Sequence, residues 1–261
     1  MDVLWEKVVL ITGAAGGFGR AMAEAFWAED ARLALLDRDE QGLAALAADL
    51  RSRGGRVQTA VADLSSAQGV QEGIRTVLAP YRGRIDVLVS NVGVLVAGRF
   101  AAISDEQLEL GLTMNFLTHV WACRTVLPLM AGREGANIIL VGSDQGSQPD
   151  SGLFPYAQAK AAVHSLGKEL AREYGPAIRV NVIAPGMART RLVEGLLARL
   201  AQEEFHTDVA TAEQLELQRR GVPLERLGEP HEVAHAAMFL AQNGFCTGSI
   251  LDMSGGNRRG V

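Results

Sequence analysis

The feature that most narrows what this chain can fold into is a repeating alternation of short apolar runs with helical stretches. The runs are Lys7 to Ile11, Ala31 to Leu36, Arg56 to Val61, Ile85 to Val89, Asn137 to Val141, Ile178 to Ile183 and Ser249 to Asp252. Most are continuously apolar over about four to six residues, the pattern of strands buried on both faces. Between them Ala21 to Ala28, Gln41 to Arg51, Gln68 to Leu78, Gln107 to Met130 and Ala157 to Glu173 carry helical spacing. Such alternation builds βαβ units with right-handed crossovers, hence a parallel sheet covered by helices on both faces. No internal repeat or low-complexity linker marks a boundary, so residues 1–261 read as a single α/β domain.

Composition removes whole classes of function. With 48% hydrophobic and 21% charged residues the chain has material for a full core and is no disordered segment. Its net charge of −5, with no basic block, lacks the footprint of a nucleic-acid binder. Two cysteines, Cys123 and Cys246, make no disulfide framework and suit a reducing compartment as small buried hydrophobes. The start, Met1 to Lys7, has no basic segment followed by an apolar one, so no signal peptide is read there. Val233 to Leu251 approaches membrane-span length but is interrupted by Gln242-Asn243-Gly244 and Thr247-Gly248-Ser249. The expectation is a soluble cytoplasmic protein with neither membrane nor nucleic-acid partner, and no metal.

Glycine is in excess: 29 residues, about 11% against a usual ~7%. Several sit directly after the first strand, in Thr12-Gly13-Ala14-Ala15-Gly16-Gly17-Phe18-Gly19, before a helix from Arg20. A glycine-rich strand-to-helix turn lets backbone N–H groups approach a phosphate at the positive end of the helix, although an ordinary tight turn has the same look. Asp37, directly after Leu35-Leu36 of the second strand, puts a carboxylate where it can accept hydrogen bonds from an adenosine ribose.

That turn, Asp63-Leu64 after the third strand, and Tyr156-Ala157-Gln158-Ala159-Lys160 together resemble the short-chain dehydrogenase/reductase family. Ser90-Asn91-Val92-Gly93, Asn115, Ser143 thirteen residues before Tyr156, and Pro185-Gly186 followed by Thr190 extend the resemblance. Arg226-Leu227-Gly228-Glu229-Pro230, Thr247-Gly248 and Ser254-Gly255-Gly256 carry it nearly to the end. It implies a Rossmann-type doubly wound domain, with seven parallel strands in the order 3-2-1-4-5-6-7. The implied catalytic set is Asn115, Ser143, Tyr156 and Lys160. The implied cofactor set is Gly13, Gly17, Phe18, Gly19, Asp37, Arg38, Asp63, Leu64, Asn91, Gly93, Tyr156, Lys160, Pro185, Gly186 and Thr190.

Tyr156 and Lys160 stand one helical turn apart and share a face. A free tyrosine titrates near ~10, so acid–base work near neutrality needs a fall of about two to three units, roughly 3–4 kcal/mol. A nearby Lys160 ammonium and an oxidised nicotinamide favour the phenolate. By resemblance, Tyr156 exchanges a proton with the substrate oxygen while hydride passes to or from the nicotinamide, and Ser143 hydrogen-bonds that oxygen. Lys160 would also bind the nicotinamide ribose. Asn115 would hold a relay water, or else bond to the helix backbone. Asp63 would contact adenine, or cap the helix before Ser65-Ser66, or both. Thr190 would hold the nicotinamide carboxamide.

Asp37 favours NAD over NADP because its charge repels a 2′-phosphate, although the adjacent Arg38 suits one. Ser90 and Val92 depart from the usual Asn-Asn-Ala-Gly segment, and Ser254 replaces a frequent aspartate.

The resemblance implies that the stretch at about 187–225 forms a lid over the substrate; its residues place Leu192, Val193, Leu196, Leu197 and Leu200 on one helical face and a second helix from about Ala212 to Arg220. Phe205 and His206 are lid candidates for substrate contact. Asp144 and Gln145 either bind hydroxyls of a polyol or sugar, or cap their own loop. Leu153 joins Val94-Leu95-Val96 and Phe154 in an apolar wall, which suits a ring or short aliphatic body. The function expected is hydride transfer between NAD(H) and a secondary alcohol or ketone, as a homodimer or homotetramer. The alternatives are an NADPH-dependent 3-oxoacyl thioester reductase and a non-catalytic NAD-binding regulatory protein.

Overall fold

The apolar runs pair side by side because each can bury both of its faces only inside a covered sheet. In the computed structural model, which describes residues 4–257, the strands are β1 (Val8–Thr12), β2 (Arg32–Asp37), β3 (Val57–Val61), β4 (Val87–Ser90), β5 (Ala136–Val141), β6 (Ile178–Pro185) and β7 (Ile250–Met253). Met1–Val3, within the segment read for a leader, lie outside the described residues. The sheet has the order β3-β2-β1-β4-β5-β6-β7, with each neighbouring pair parallel, as the resemblance implied.

Nine α-helices occupy the described residues: α1 (Gly17–Ala28), α2 (Glu40–Ser52), α3 (Ala67–Leu78), α4 (Asp105–Leu112), α5 (Thr118–Met130), α6 (Tyr156–Tyr174), α7 (Arg191–Glu203), α8 (Val209–Arg220) and α9 (Pro230–Gln242). The period of two divides the strands between two cores. Val9 and Ile11, Leu33 and Leu35, Ile139 and Val141 pack with α1, α2 and α9. Val8 and Leu10, Ala34 and Leu36, Ile138 and Leu140 face α3, α5 and α6. A third, small core of Val193, Leu197, Leu217, Val222 and Leu227 joins α7 to α8.

The helix expected over Gln107 to Met130 is broken. It starts at Asp105 behind a Ser104–Gln107 capping box, widens into a π-helical turn over Thr113–Leu117, and resumes as α5. Asn115 explains the break. Its side-chain Nδ2 donates to the Gly111 carbonyl at 2.9 Å, the acceptor that a regular helix reserves for the backbone N–H of Asn115. Gly111 is needed as well, since a Cβ there would lie 2.4 Å from the Pro155 ring.

β1 has β2 on one side and β4 on the other, so the chain reverses its winding direction at β1. The crevice beyond the carboxyl ends of these strands, at the end of Thr12 and Ser90, is where an open α/β sheet receives a ligand. Phe26, in the last turn of α1, is fully buried in the core that α1 forms with the sheet. Phe26→Ala is expected to cost about 3–5 kcal/mol of stability, read from urea denaturation.

Candidate active site

A cavity of about 770 Å³ opens over the carboxyl ends of β1, β2, β4, β5 and β6. Into it the fold brings Gly13, Gly17, Phe18, Asp37, Arg38, Leu64, Asn91, Gly93, Ser143, Asp144, Gln145, Leu153, Tyr156, Lys160, Pro185, Gly186 and Thr190. Residues separated by more than 170 positions thus share one wall-to-wall space because their strands end side by side.

The glycine turn is shaped by close approach. Gly13 has φ +66, and its carbonyl accepts from Asn91 Nδ2 at 3.0 Å, which ties the end of β1 to the end of β4. A Cβ on Gly19 would lie 2.1 Å from the Gly13 carbonyl oxygen, so only glycine lets α1 close against the turn. Gly19 itself stands behind the cavity wall. Gly17 packs on Thr190, where a Cβ would lie 2.9 Å from Thr190 Cγ2. At the start of α1, neither a capping side chain nor an acidic first-turn residue competes for the helix amides. That end is receptive to a diphosphate, and the residues present fit a dinucleotide. Asp37 is aimed by backbone: its Oδ2 accepts from Ala15 N at 2.9 Å and its Oδ1 from Asp39 N at 3.0 Å.

Three groups meet past β5. Ser143 follows the strand, and Tyr156 opens α6 with Lys160 one turn on. Lys160 is buried, its Nζ donates to the Val141 carbonyl at 2.9 Å, and it lies 5.8 Å from the centre of the Tyr156 ring. Gly93 packs closely at this end: a Cβ there would lie 3.1 Å from Asn115 Oδ1 and in ordinary contact, 3.5 Å, with Lys160 Nζ. Burial pushes the Tyr156 phenol up to about 12; hydrogen bonding with Ser143 opposes the rise and Asp144 adds to it. Burial pushes the Lys160 ammonium down to about 7. Among the protein's own groups, desolvation therefore outweighs the phenolate–ammonium attraction expected from spacing.

Several expected contacts are corrected. The Asn115 side chain is engaged by the backbone. Its Oδ1 accepts from Val94 N at 3.0 Å, and its Nδ2 donates to the carbonyls of Val94 and Gly111, each at 2.9 Å. Through these bonds Asn115 clamps the loop after β4. Asp63 is exposed and is absent from the cavity lining, to which its neighbours Ala62 and Leu64 contribute. Its carboxylate accepts from Ser65 N and Ser65 Oγ, and those bonds hold its pKa below the usual range. The helix cap there is Ser66.

Phe205 and His206 also lie away from the cavity. They follow the C-terminal end of α7, roughly 20 Å along the helix from the Thr190 end that borders the site. His206 bonds Gln202 O, and Phe205 lies under the Arg219 guanidinium. The five apolar residues assigned to one face of α7 divide. Val193, Leu197 and Leu200 are buried, and Leu192 and Leu196 line the cavity.

Asp144 and Gln145 reach the cavity, but their polar atoms bind their own surroundings. Asp144 accepts from Ser143 Oγ at 3.1 Å and from Asn257 Nδ2 at 2.9 Å. Gln145 donates to Asp150 Oδ2 and accepts from Asp150 N, both at 2.8 Å. Sequence reasoning missed Arg220, a buried α8 residue that lines the cavity and pairs with Asp150 at 2.5 Å and Glu216 at 2.6 Å. A charge in the last turn of an amphipathic helix carries no signal of burial. Of the wall, Val94, Leu95 and Leu153 face the cavity, whereas Phe154 stacks on Phe100 at 4.7 Å.

Gly19→Ala is expected to displace the turn against the Gly13 carbonyl. NADH affinity, read by fluorescence titration, should fall about tenfold or more, equivalent to ~1.4 kcal/mol.

The short chain dehydrogenase family model matches residues 7–200. Oxidoreductase UcpA of Escherichia coli strain K12 is 36% identical over 262 residues, covering 98% of this chain and 96% of that protein. The 3-oxoacyl-[acyl-carrier-protein] reductase FabG of Chlamydia muridarum is 32% identical, with 98% of each chain covered. The crystal structure of L-sorbose reductase from Gluconobacter frateurii, complexed with NADPH and L-sorbose, superposes with a TM-score of 0.92 at 28% identity over 100% of both chains. The turn that can cradle a diphosphate, the Ser143–Tyr156–Lys160 cluster and these likenesses converge: the chain belongs to the short-chain dehydrogenase/reductase family of NAD(P)-dependent oxidoreductases acting on CH–OH and C=O groups.

Proposed function

We propose that this enzyme interconverts a secondary alcohol and its ketone with NAD(H), using Tyr156 as general acid and base. The observation that carries the reading is the meeting of Ser143, Tyr156 and Lys160 in the same cavity as the glycine turn and Asp37. Gly13, Gly17, Phe18, Asp37, Asn91, Lys160 and Thr190 would hold the dinucleotide. When bound, the nicotinamide supplies or accepts the hydride and, oxidised, adds a positive charge beside the phenol.

Tyr156 gives a proton to the nascent alkoxide in reduction and takes it back in oxidation. Ser143 orients the same oxygen. Lys160, tied to Val141 and 5.8 Å from the centre of the tyrosine ring, stabilises the phenolate when it carries its proton, an attraction that grows once water is excluded. Asn115 contributes by fixing Val94 in the wall. Asp37 supports NAD over NADP, because a carboxylate pinned by two backbone amides cannot withdraw from a 2′-phosphate. Residues 187–225 act as the lid, with Leu192, Leu196 and Arg220 over the substrate end.

Committed polar atoms on Asp144 and Gln145, with Val94, Leu95, Leu153, Leu192 and Leu196 around them, favour a cyclic alcohol or ketone over an open-chain polyol. The reading includes assembly as a homodimer or homotetramer, supported by exposed Leu110, Phe239 and Phe245.

The test follows NAD and NADP reduction spectrophotometrically with cyclohexanol, cyclohexane-1,2-diol, sorbitol, xylitol and 2-butanol, and the reverse reaction with the matching ketones. Activity is expected with a cyclic substrate and NAD, and Tyr156→Phe should lower it about 100- to 10,000-fold. Asp37→Ala is expected to reduce the NAD-over-NADP preference about tenfold or more, ~1.4 kcal/mol. Preference for NADPH together with saturable binding of acyl carrier protein would replace this reading with thioester reduction. Full activity of Tyr156→Phe would remove the acid–base role.

A further inference from the structure

Ser143 has a single hydroxyl hydrogen, and Asp144, the Pro185 carbonyl and the Tyr156 oxygen compete for it. Its Oγ donates to Asp144 Oδ1 at 3.1 Å, with a longer approach of 3.4 Å to the Pro185 carbonyl, and accepts from Gln145 N at 3.2 Å. Asp144 is buried, and its other oxygen is held by Asn257 Nδ2 at 2.9 Å across 113 residues of sequence. Asn257 is itself buried, carried there by the turn after β7. The carboxyl plane is therefore set from both sides, and the same carboxyl can meet Ser143 in two ways. An ionised carboxylate takes the serine hydrogen and leaves only oxygen lone pairs facing a ligand. A neutral carboxyl donates its own hydrogen to Ser143 Oγ, so that the serine hydrogen is released toward a carbonyl oxygen.

We propose that Asp144, clamped by Asn257, is a positioning residue that decides which way the Ser143 hydrogen points, and so whether the site presents a donor to a ketone. The inference rests on the reading that Ser143 and Tyr156 act on one substrate oxygen. The charged and titratable groups facing Asp144 are Arg220 from α8, Asp150 from the loop before α6, and Tyr156 at the head of α6. Burial raises the Asp144 pKa above the ordinary carboxylate range; Asn257, Ser143 and Arg220 pull it down, and Asp150 pushes it up. The neutral, donor-releasing form consequently persists to higher pH than for a free aspartate. Ketone reduction should fall as pH rises through that raised value.

The experiment is a pH profile of ketone reduction, using cyclohexanone or whichever ketone of the panel above is reduced fastest. Wild type is expected to show a limb assignable to Asp144. Asp144→Asn, whose amide does not titrate, should lack that limb whatever its absolute rate, and Ser143→Ala should lack it too. Asn257→Leu removes a donor that favours the ionised form, so the limb should move to higher pH. A readout independent of turnover is the side-chain carboxyl resonance of Asp144 in ¹³C-aspartate-labelled protein, assigned by its loss in Asp144→Asn. It should titrate above the ordinary range and move upward in Asn257→Leu and in Ser143→Ala. A limb retained in Asp144→Asn or Ser143→Ala, or a resonance unmoved in Asn257→Leu, overturns the inference. Wild type inert on every alcohol and ketone of the panel overturns the underlying reading instead, and this inference with it. If Asp144→Asn does not fold, Asn257→Leu and Ser143→Ala carry the same test.

Discussion

Burying both faces of a parallel sheet directs its ligand site to the ends of the strands. Helices cover the two sides, and the strands all point the same way, so their carboxyl ends form a single rim. Gly13, Asp37, Asn91 and Ser143 all hang from that rim or from a loop that starts on it. The reversal of winding at β1 parts the loops after β1 and β4 and makes the crevice. Asn91 then spans it, bonding the carbonyls of Thr12 and Gly13. The architecture supplies the convergence, whatever reactive side chains the loops carry.

Desolvation governs the electrostatics of the site. It drives the Tyr156 phenol up, the Lys160 ammonium down and the Asp144 carboxyl up, each toward its neutral form. In such a low-dielectric site these groups respond strongly to one added charge. The same burial explains Ser90, which stands where the family pattern has asparagine: its hydroxyl meets His119 Nδ1 at 2.8 Å in a buried contact behind the cavity. That imidazole is held well below its usual pKa by burial and by Lys160.

Much of the fold was readable from local chemistry. Continuous apolar runs marked β1, β2, β4, β5 and β6 to within a residue or two, because a strand buried on both faces has no alternation to disguise it. The break at Asn115 was not readable, since it needs a side chain to capture a carbonyl four residues back while Pro155 presses on Gly111 from another element. Phe205 and His206 were placed at the substrate because they lie in the right insertion. Helix length put them at its far end.

What the sequence determined by itself was the class of fold and the residue types able to bind a dinucleotide and move a proton. Periodicity, glycine spacing and the Tyr156–Lys160 separation are local quantities that travel with the chain. Tertiary structure decided which polar atoms remained available. Asp144, Gln145, Asn115 and Asp63 each meet a bonding partner in the folded chain: Asp144 meets Asn257, 113 residues away, and Asp63 meets Ser65, two residues away. A hydrogen bond satisfies a group whatever the sequence distance of its partner, and only the folded chain reveals which partner arrives.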